Sequence, residues 1–107
     1  MIRVTALFPK TSEGHFDMDY YLNKHVPMVV EKYKSVGVTV GGAVDEGLGG
    51  LVPGETALYA VIGTLIFETL EDFHTGYTAH GAEIMADIPN YTNVQPVVQV
   101  NNIVLGD

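Results

Sequence analysis

Apolar and polar positions alternate from the start of the chain, with Ile2, Val4, Ala6 and Phe8 set against Arg3, Thr5 and Leu7. A period of two is that of a strand, so Met1 to Phe8 predicts the first one. Pro9 to His15 holds Pro, Thr, Ser and Gly and reads as a loop. The period then changes to that of a helix, with Leu22, His25 or Val26, Val29, Val30 and Tyr33 recurring on one side. Asp17 is a suitable N-cap, Phe16 is placed to staple onto Tyr21, and Gly37 supplies the stop. Pro27 sits inside this pattern. It has no N–H for the carbonyl of Asn23, which predicts a kink two residues after His25.

Val38 to Val44 predicts a second strand, softened by Gly41 and Gly42, and Gly47 to Glu55 a flexible hairpin connection that would serve as a lid. Leu58 to Phe67 is apolar at nearly every position, the pattern of a strand buried on both faces. A second helix is expected from Leu70 to Asp87, opened by a cap at Thr69 with Asp72, its inner stripe being Leu70, Phe73, Tyr77, Gly81, Ile84 and Ile88. The last strand is expected from Thr92 to Leu105.

The resulting order, β-α-β-β-α-β, fits an α+β ferredoxin-like sandwich: a four-stranded antiparallel sheet with two helices on one face. No repeat or linker divides residues 1–107, which read as a single domain. Two helices cover one sheet face only. The other would expose more apolar surface than a monomer usually does, so a homodimer that stacks two such faces is expected. Burying several hundred Å² of apolar area would contribute on the order of ten kcal/mol before the costs of association.

Composition narrows the function. Hydrophobic residues make up 47% of the 107, enough for a core without disulfides, and there is no cysteine. Thiolate metal sites and cysteine nucleophiles are therefore excluded. Thirteen acidic residues against five basic ones give a net charge of −8. Arg3, Lys10, Lys24, Lys32 and Lys34 form no cluster, which argues against nucleic acid and anionic membrane surfaces as partners. Neither a signal-peptide pattern nor an apolar run near the roughly 18 residues of a membrane span occurs, and a cytoplasmic location is expected.

Three stretches then resemble a known family: VTALFP (Val4 to Pro9), FDMDYYLNKHVP (Phe16 to Pro27) and GAEIMADIPNYTNVQPVVQV (Gly81 to Val100). Together with the element order they resemble the EthD family (ethyl tert-butyl ether degradation) of the dimeric α+β barrel superfamily, over essentially the whole chain. The resemblance implies a ferredoxin-like protomer, a barrel formed by two sheets, and a link to breakdown of ethers or related xenobiotics. It fixes no reaction, because one fold serves many chemistries.

His25 is the leading catalytic candidate, since imidazole exchanges protons near neutral pH. Tyr21 lies one turn earlier, within reach of a hydrogen bond to it. A bland alternative has His25 bonding a carbonyl freed by Pro27. Tyr91, Met28 and Tyr59 are the candidates for contacting a substrate, although such a tyrosine as Tyr91 more often pins a helix end to the sheet. Asp87 and Asn90 read as cap and turn residues. His74 and His80 fall on opposite sides of the second helix, His80 with Glu83 nearby, so no metal site is expected. Gln95, Gln99 and Asn101 share one face of the last strand. The reading is a cofactor-independent protein acting on a hydrophobic small molecule, by isomerisation, dehydration or oxygenation. A non-catalytic binder or accessory protein of a degradation pathway is the alternative, and a haem enzyme a distant third.

Overall fold

Strand alternation carries straight into the architecture. In a computed structural model, which describes residues 1–106, β1 (Ile2–Pro9) lies inside a four-stranded antiparallel sheet. It pairs with β3 (Tyr59–Phe67) on one side and β4 (Val97–Asn102) on the other, and β2 (Gly41–Glu46) joins the far edge of β3. The order β2-β3-β1-β4 is the ferredoxin-like one. Val4 and Phe8 point toward the helices and are buried, as are Val61 and Phe67 of β3. The register sets Arg3 opposite Ile66 and Asn101, Thr5 opposite Thr64 and Gln99, and Leu7 opposite Ile62 and Val97. Those side chains therefore share the other face, where apolar and polar groups are mixed.

The first helix, α1, spans residues 18–35. Asp17 caps it by accepting from the Tyr20 N–H at 3.0 Å, and the Phe16 and Tyr21 rings meet edge-on 5.0 Å apart, which is the expected staple. Its end is a Schellman turn: Gly37, at φ +82°, donates to the Lys34 carbonyl and Val38 to that of Tyr33. Between these ends the helix is not uniform. Met18–Tyr20 and Val26–Ser35 are α-helical, but Tyr21–His25 forms a π-turn in which the Val26 N–H reaches back to the Tyr21 carbonyl. The irregularity thus precedes Pro27 instead of following His25. A proline ring crowds the carbonyl four residues before it, here that of Asn23, so the adjustment falls in the preceding turn.

The second helix, α2 (Leu70–Ala86), opens with Thr69 accepting from the Asp72 N–H at 3.1 Å. Its inner surface keeps Phe73, Gly81 and Ile84 of the expected stripe, adds Gly76, and differs at Leu70 and Tyr77. Gly76 and Gly81 are buried, whereas Leu70 and Tyr77 remain 46% and 45% exposed. Small residues allow α2 to approach α1 closely, and the Tyr33 hydroxyl donates to the Phe73 carbonyl across that contact at 3.1 Å.

Two further boundaries differ from expectation. β2 begins at Gly41 and not Val38, because Val38 is held in the helix-ending turn and buried in the core. β4 begins at Val97 and not Thr92. Pro96 has no donor for a ladder, and Thr92 and Asn93 are engaged elsewhere: Thr92 Oγ1 donates to the His15 carbonyl, and Asn93 exchanges bonds with His15 and Glu13. The core has two parts, Val4, Val29, Tyr33, Val38 and Phe67 in one, and Phe8, Tyr21, Val61 and Tyr91 in the other.

Candidate functional site

A cavity of about 420 Å³ opens between the sheet and both helices. The sheet contributes Val4, Ala6, Phe8, Val44, Gly63, Leu65 and Val98; α1 contributes Tyr21, His25, Val26, Val29, Val30 and Tyr33; Phe73, Tyr77, Ile84 and Met85 close it from α2, with Ile88 and Tyr91 just beyond. The walls are almost wholly apolar. No residue of the glycine-rich connection between Gly47 and Leu58 reaches them, so a lid role for that loop has no contact behind it.

His25 is the most polar group on the wall. Its side chain is 8% exposed, and its Nδ1 lies 2.9 Å from Oδ2 of Asp87, which is 15% exposed. The other carboxylate oxygen accepts from the Tyr20 hydroxyl at 2.7 Å and from the Asn90 amide at 2.9 Å. Burial pushes the Asp87 carboxyl upward, but the hydrogen bonds from Asn90, Tyr20 and His25 outweigh it and hold the group below its ordinary value. In the neutral ring, an ionised carboxylate at Nδ1 keeps the proton on that nitrogen and leaves Nε2 as the lone-pair acceptor. Nε2 has no hydrogen-bond partner among the described residues.

Tyr21 and His25 do not bond to each other. Their rings stack nearly parallel, 14° apart with centroids separated by 5.4 Å, an arrangement set by the π-turn that holds both. The Tyr21 hydroxyl lies over Gly63, where a Cβ would overlap it, so glycine makes room for the oxygen against the sheet. Burial raises this phenol to about 12, which keeps it protonated and a donor at neutral pH. Tyr91 is 2% exposed and packs on both rings, at 4.6 Å from His25 and 5.0 Å from Tyr21. Its carbonyl accepts from the Asp17 N–H at 2.7 Å, so it also pins the start of α1.

The structure therefore brings together His25, Tyr21 and Tyr91, and adds Asp87, Tyr20 and Asn90, which sequence reasoning assigned to capping and turns. Met28 packs into the core beside Val29 and Phe67, and Tyr59 sits at the strand end opposite Pro9; neither lines the cavity. Gln99 and Asn101 bond to each other at 2.6 Å on the sheet face away from it. His80 contacts Ser35 at 3.2 Å and Glu83 at 3.5 Å between the helices. Among the described residues no group of three or more His, Cys, Asp or Glu could hold a metal ion. Among the described residues no helix is long and apolar enough to cross a membrane.

Fold and site together define a ferredoxin-like α+β protein with an apolar cavity and one carboxylate-held histidine. No family model matches the chain, and no curated protein is similar to it. Solved structures are. An EthD-like protein from Ralstonia eutropha JMP134 is 33% identical, with 99% of this chain and 94% of that one covered and a TM-score of 0.89. An EthD family protein from Bacillus halodurans C-125 is 15% identical, covers 97% of this chain and 99% of its own, and has a TM-score of 0.63. The chain belongs to the EthD family.

Proposed function

We propose that this protein takes a hydrophobic small molecule into the cavity and moves a proton on it without a cofactor, His25 being the base and Asp87 its positioning residue. One observation carries the reading: the 2.9 Å contact from Asp87 that engages Nδ1 and leaves Nε2 as the free ring nitrogen of a residue lining a largely apolar cavity. The absence of Lys, Arg, Asp and Glu from the wall favours this, because a base in a largely apolar cavity meets little competition from water. Tyr21 supplies a hydroxyl donor beside it, and Tyr91 buttresses both rings. Aromatic compounds of a degradation pathway, or ether-bearing ones that also carry an acidic hydrogen, are the ligands that the cavity and the family name favour.

The test is titration with 2-naphthol, followed by its own fluorescence. Saturable binding of one molecule per chain, weakened by His25→Gln, is expected. A wild-type protein that binds none contradicts the reading. The predominance of aliphatic lining favours a second reading, a carrier that binds without turnover; it predicts equal affinity in His25→Gln.

We further infer a homodimer. Leu7, Ile62, Ile66 and Val97 lie on the sheet face that the helices leave bare, with Val97 52% exposed. Leu48 and Leu51, in the loop after β2, are both 99% exposed, more apolar surface than a lone protomer usually presents. Sedimentation at micromolar concentration is expected to give twice the protomer mass; a single protomer contradicts it.

A further inference from the structure

From the polarity of the cavity we infer that its ligands are uncharged enolisable ketones and that the protein interconverts their keto and enol forms. This rests on the reading of His25 as a base and narrows it to a substrate class. Several polar groups of cavity-lining residues have no hydrogen-bond partner among the described residues, the hydroxyls of Tyr77 and Tyr91 included, and the chemistry rests on two of them, the Nε2 lone pair of His25 and the hydroxyl of Tyr21. They stand on parallel rings 5.4 Å apart. One accepts and the other donates. A ligand that satisfies both must offer an acceptor and an acidic hydrogen close together, as a ketone does with its carbonyl oxygen and α-carbon. A simple alcohol can serve His25, but a hydrocarbon or plain ether supplies no hydrogen for it.

Charge narrows the class further. No lysine or arginine lines the cavity, and the chain carries a net charge of −8. Asp87 stands behind His25 with its negative charge already engaged. An ionised carboxylate would thus be desolvated with no lysine or arginine to meet it and with the Asp87 charge behind the one imidazole. The volume of about 420 Å³ suits a compact bicyclic molecule.

The step is balanced. Nε2 of His25 takes the α-proton, the C–H electron pair becomes the new C=C bond, and the carbonyl π pair moves onto oxygen, where the Tyr21 hydroxyl donates to it. The imidazolium, facing Asp87, then returns a proton to the enolate at oxygen or carbon. No oxidant or reductant is consumed.

The experiment follows proton-for-deuterium exchange at C1 of 2-tetralone in D2O by NMR, with 2-naphthol and 2-naphthoate as binding controls. Wild-type protein is expected to accelerate exchange at least roughly 10²-fold over buffer. His25→Gln should abolish the acceleration, and Tyr21→Phe, which removes one oxygen only, should lower it about tenfold. 2-Naphthoate should fail to displace 2-naphthol. Bound 2-tetralone with no accelerated exchange overturns the ketone assignment while leaving the cavity as a binding site. Displacement by 2-naphthoate at equal affinity overturns the requirement for an uncharged ligand. If neither neutral probe binds, the underlying reading fails with it.

Discussion

Replacing Asp87 by asparagine changes no side-chain volume yet should silence His25. The carboxylate receives three donors: Tyr20 and Asn90 on one oxygen, His25 Nδ1 on the other. An amide has a single oxygen. Placed where Tyr20 and Asn90 converge, it keeps both bonds and turns its NH2 toward Nδ1. The opposite orientation keeps the bond from Nδ1 and lets the new NH2 donate to the Tyr20 hydroxyl, but sets the Asn90 donor against it. One net hydrogen bond, about 1 kcal/mol, favours the first arrangement by a factor of about five. Nδ1 must then accept, so the ring proton moves to Nε2 and the nitrogen facing the cavity ceases to be a base. Loss of the charge behind the imidazolium removes a charge-assisted bond of at least about 1.5 kcal/mol, roughly another tenfold. Together these predict a fall in proton-transfer rate of about 50-fold or more. A long-range 1H–15N spectrum of D87N should show the His25 proton on Nε2, and the rate assay should show the loss. A variant that keeps its proton on Nδ1 and its full rate refutes the role given to Asp87.

Three other outcomes follow from the packing and the charges. Gly63→Ala, whose Cβ would overlap the Tyr21 oxygen, should destabilise the fold by about 1–3 kcal/mol in urea unfolding, with part recovered by adding Tyr21→Phe; a neutral G63A would contradict the close approach. Thr69→Ala removes the cap of α2 and should cost about 1 kcal/mol by thermal unfolding, whereas Thr69→Ser should cost little. Because the Asp87 pKa is depressed in the folded state, its stabilising contribution is full above its ordinary 3.8 and is lost as pH falls through the lower folded value. The stability gap between wild type and D87N should hold from pH 7 to about 4 and close below that; a gap that closes above pH 5 would contradict the sign of the shift.

Local signals read well from sequence because they act over a few residues. The Asp17 and Thr69 caps, the Phe16 staple and the Gly37 stop each involve partners within five positions, and all four stand as expected. The element order followed from the periods and the breakers between them, and the sheet from that order and the connection rules. Distant pairings did not. His25 and Asp87 are 62 residues apart, and an aspartate that follows a helix carries no mark separating a cap from a histidine partner. The part played by Gly76 was also hidden: apolar periodicity favours Leu70 for the interior, but Leu70 stays half exposed and close packing on Tyr33 buries Gly76. Likewise β4 looked longer, since the engagement of Thr92 and Asn93 with the loop at residues 13–15 depends on the folded topology.

A crystal structure of the protein with 2-naphthol tests the central claim most directly. The ligand is expected inside the cavity with its hydroxyl about 2.7–3.0 Å from His25 Nε2, while Asp87 keeps its contact with Nδ1. A naphthol bound on the bare sheet face, or lying in the cavity with its oxygen turned away from His25, would contradict it.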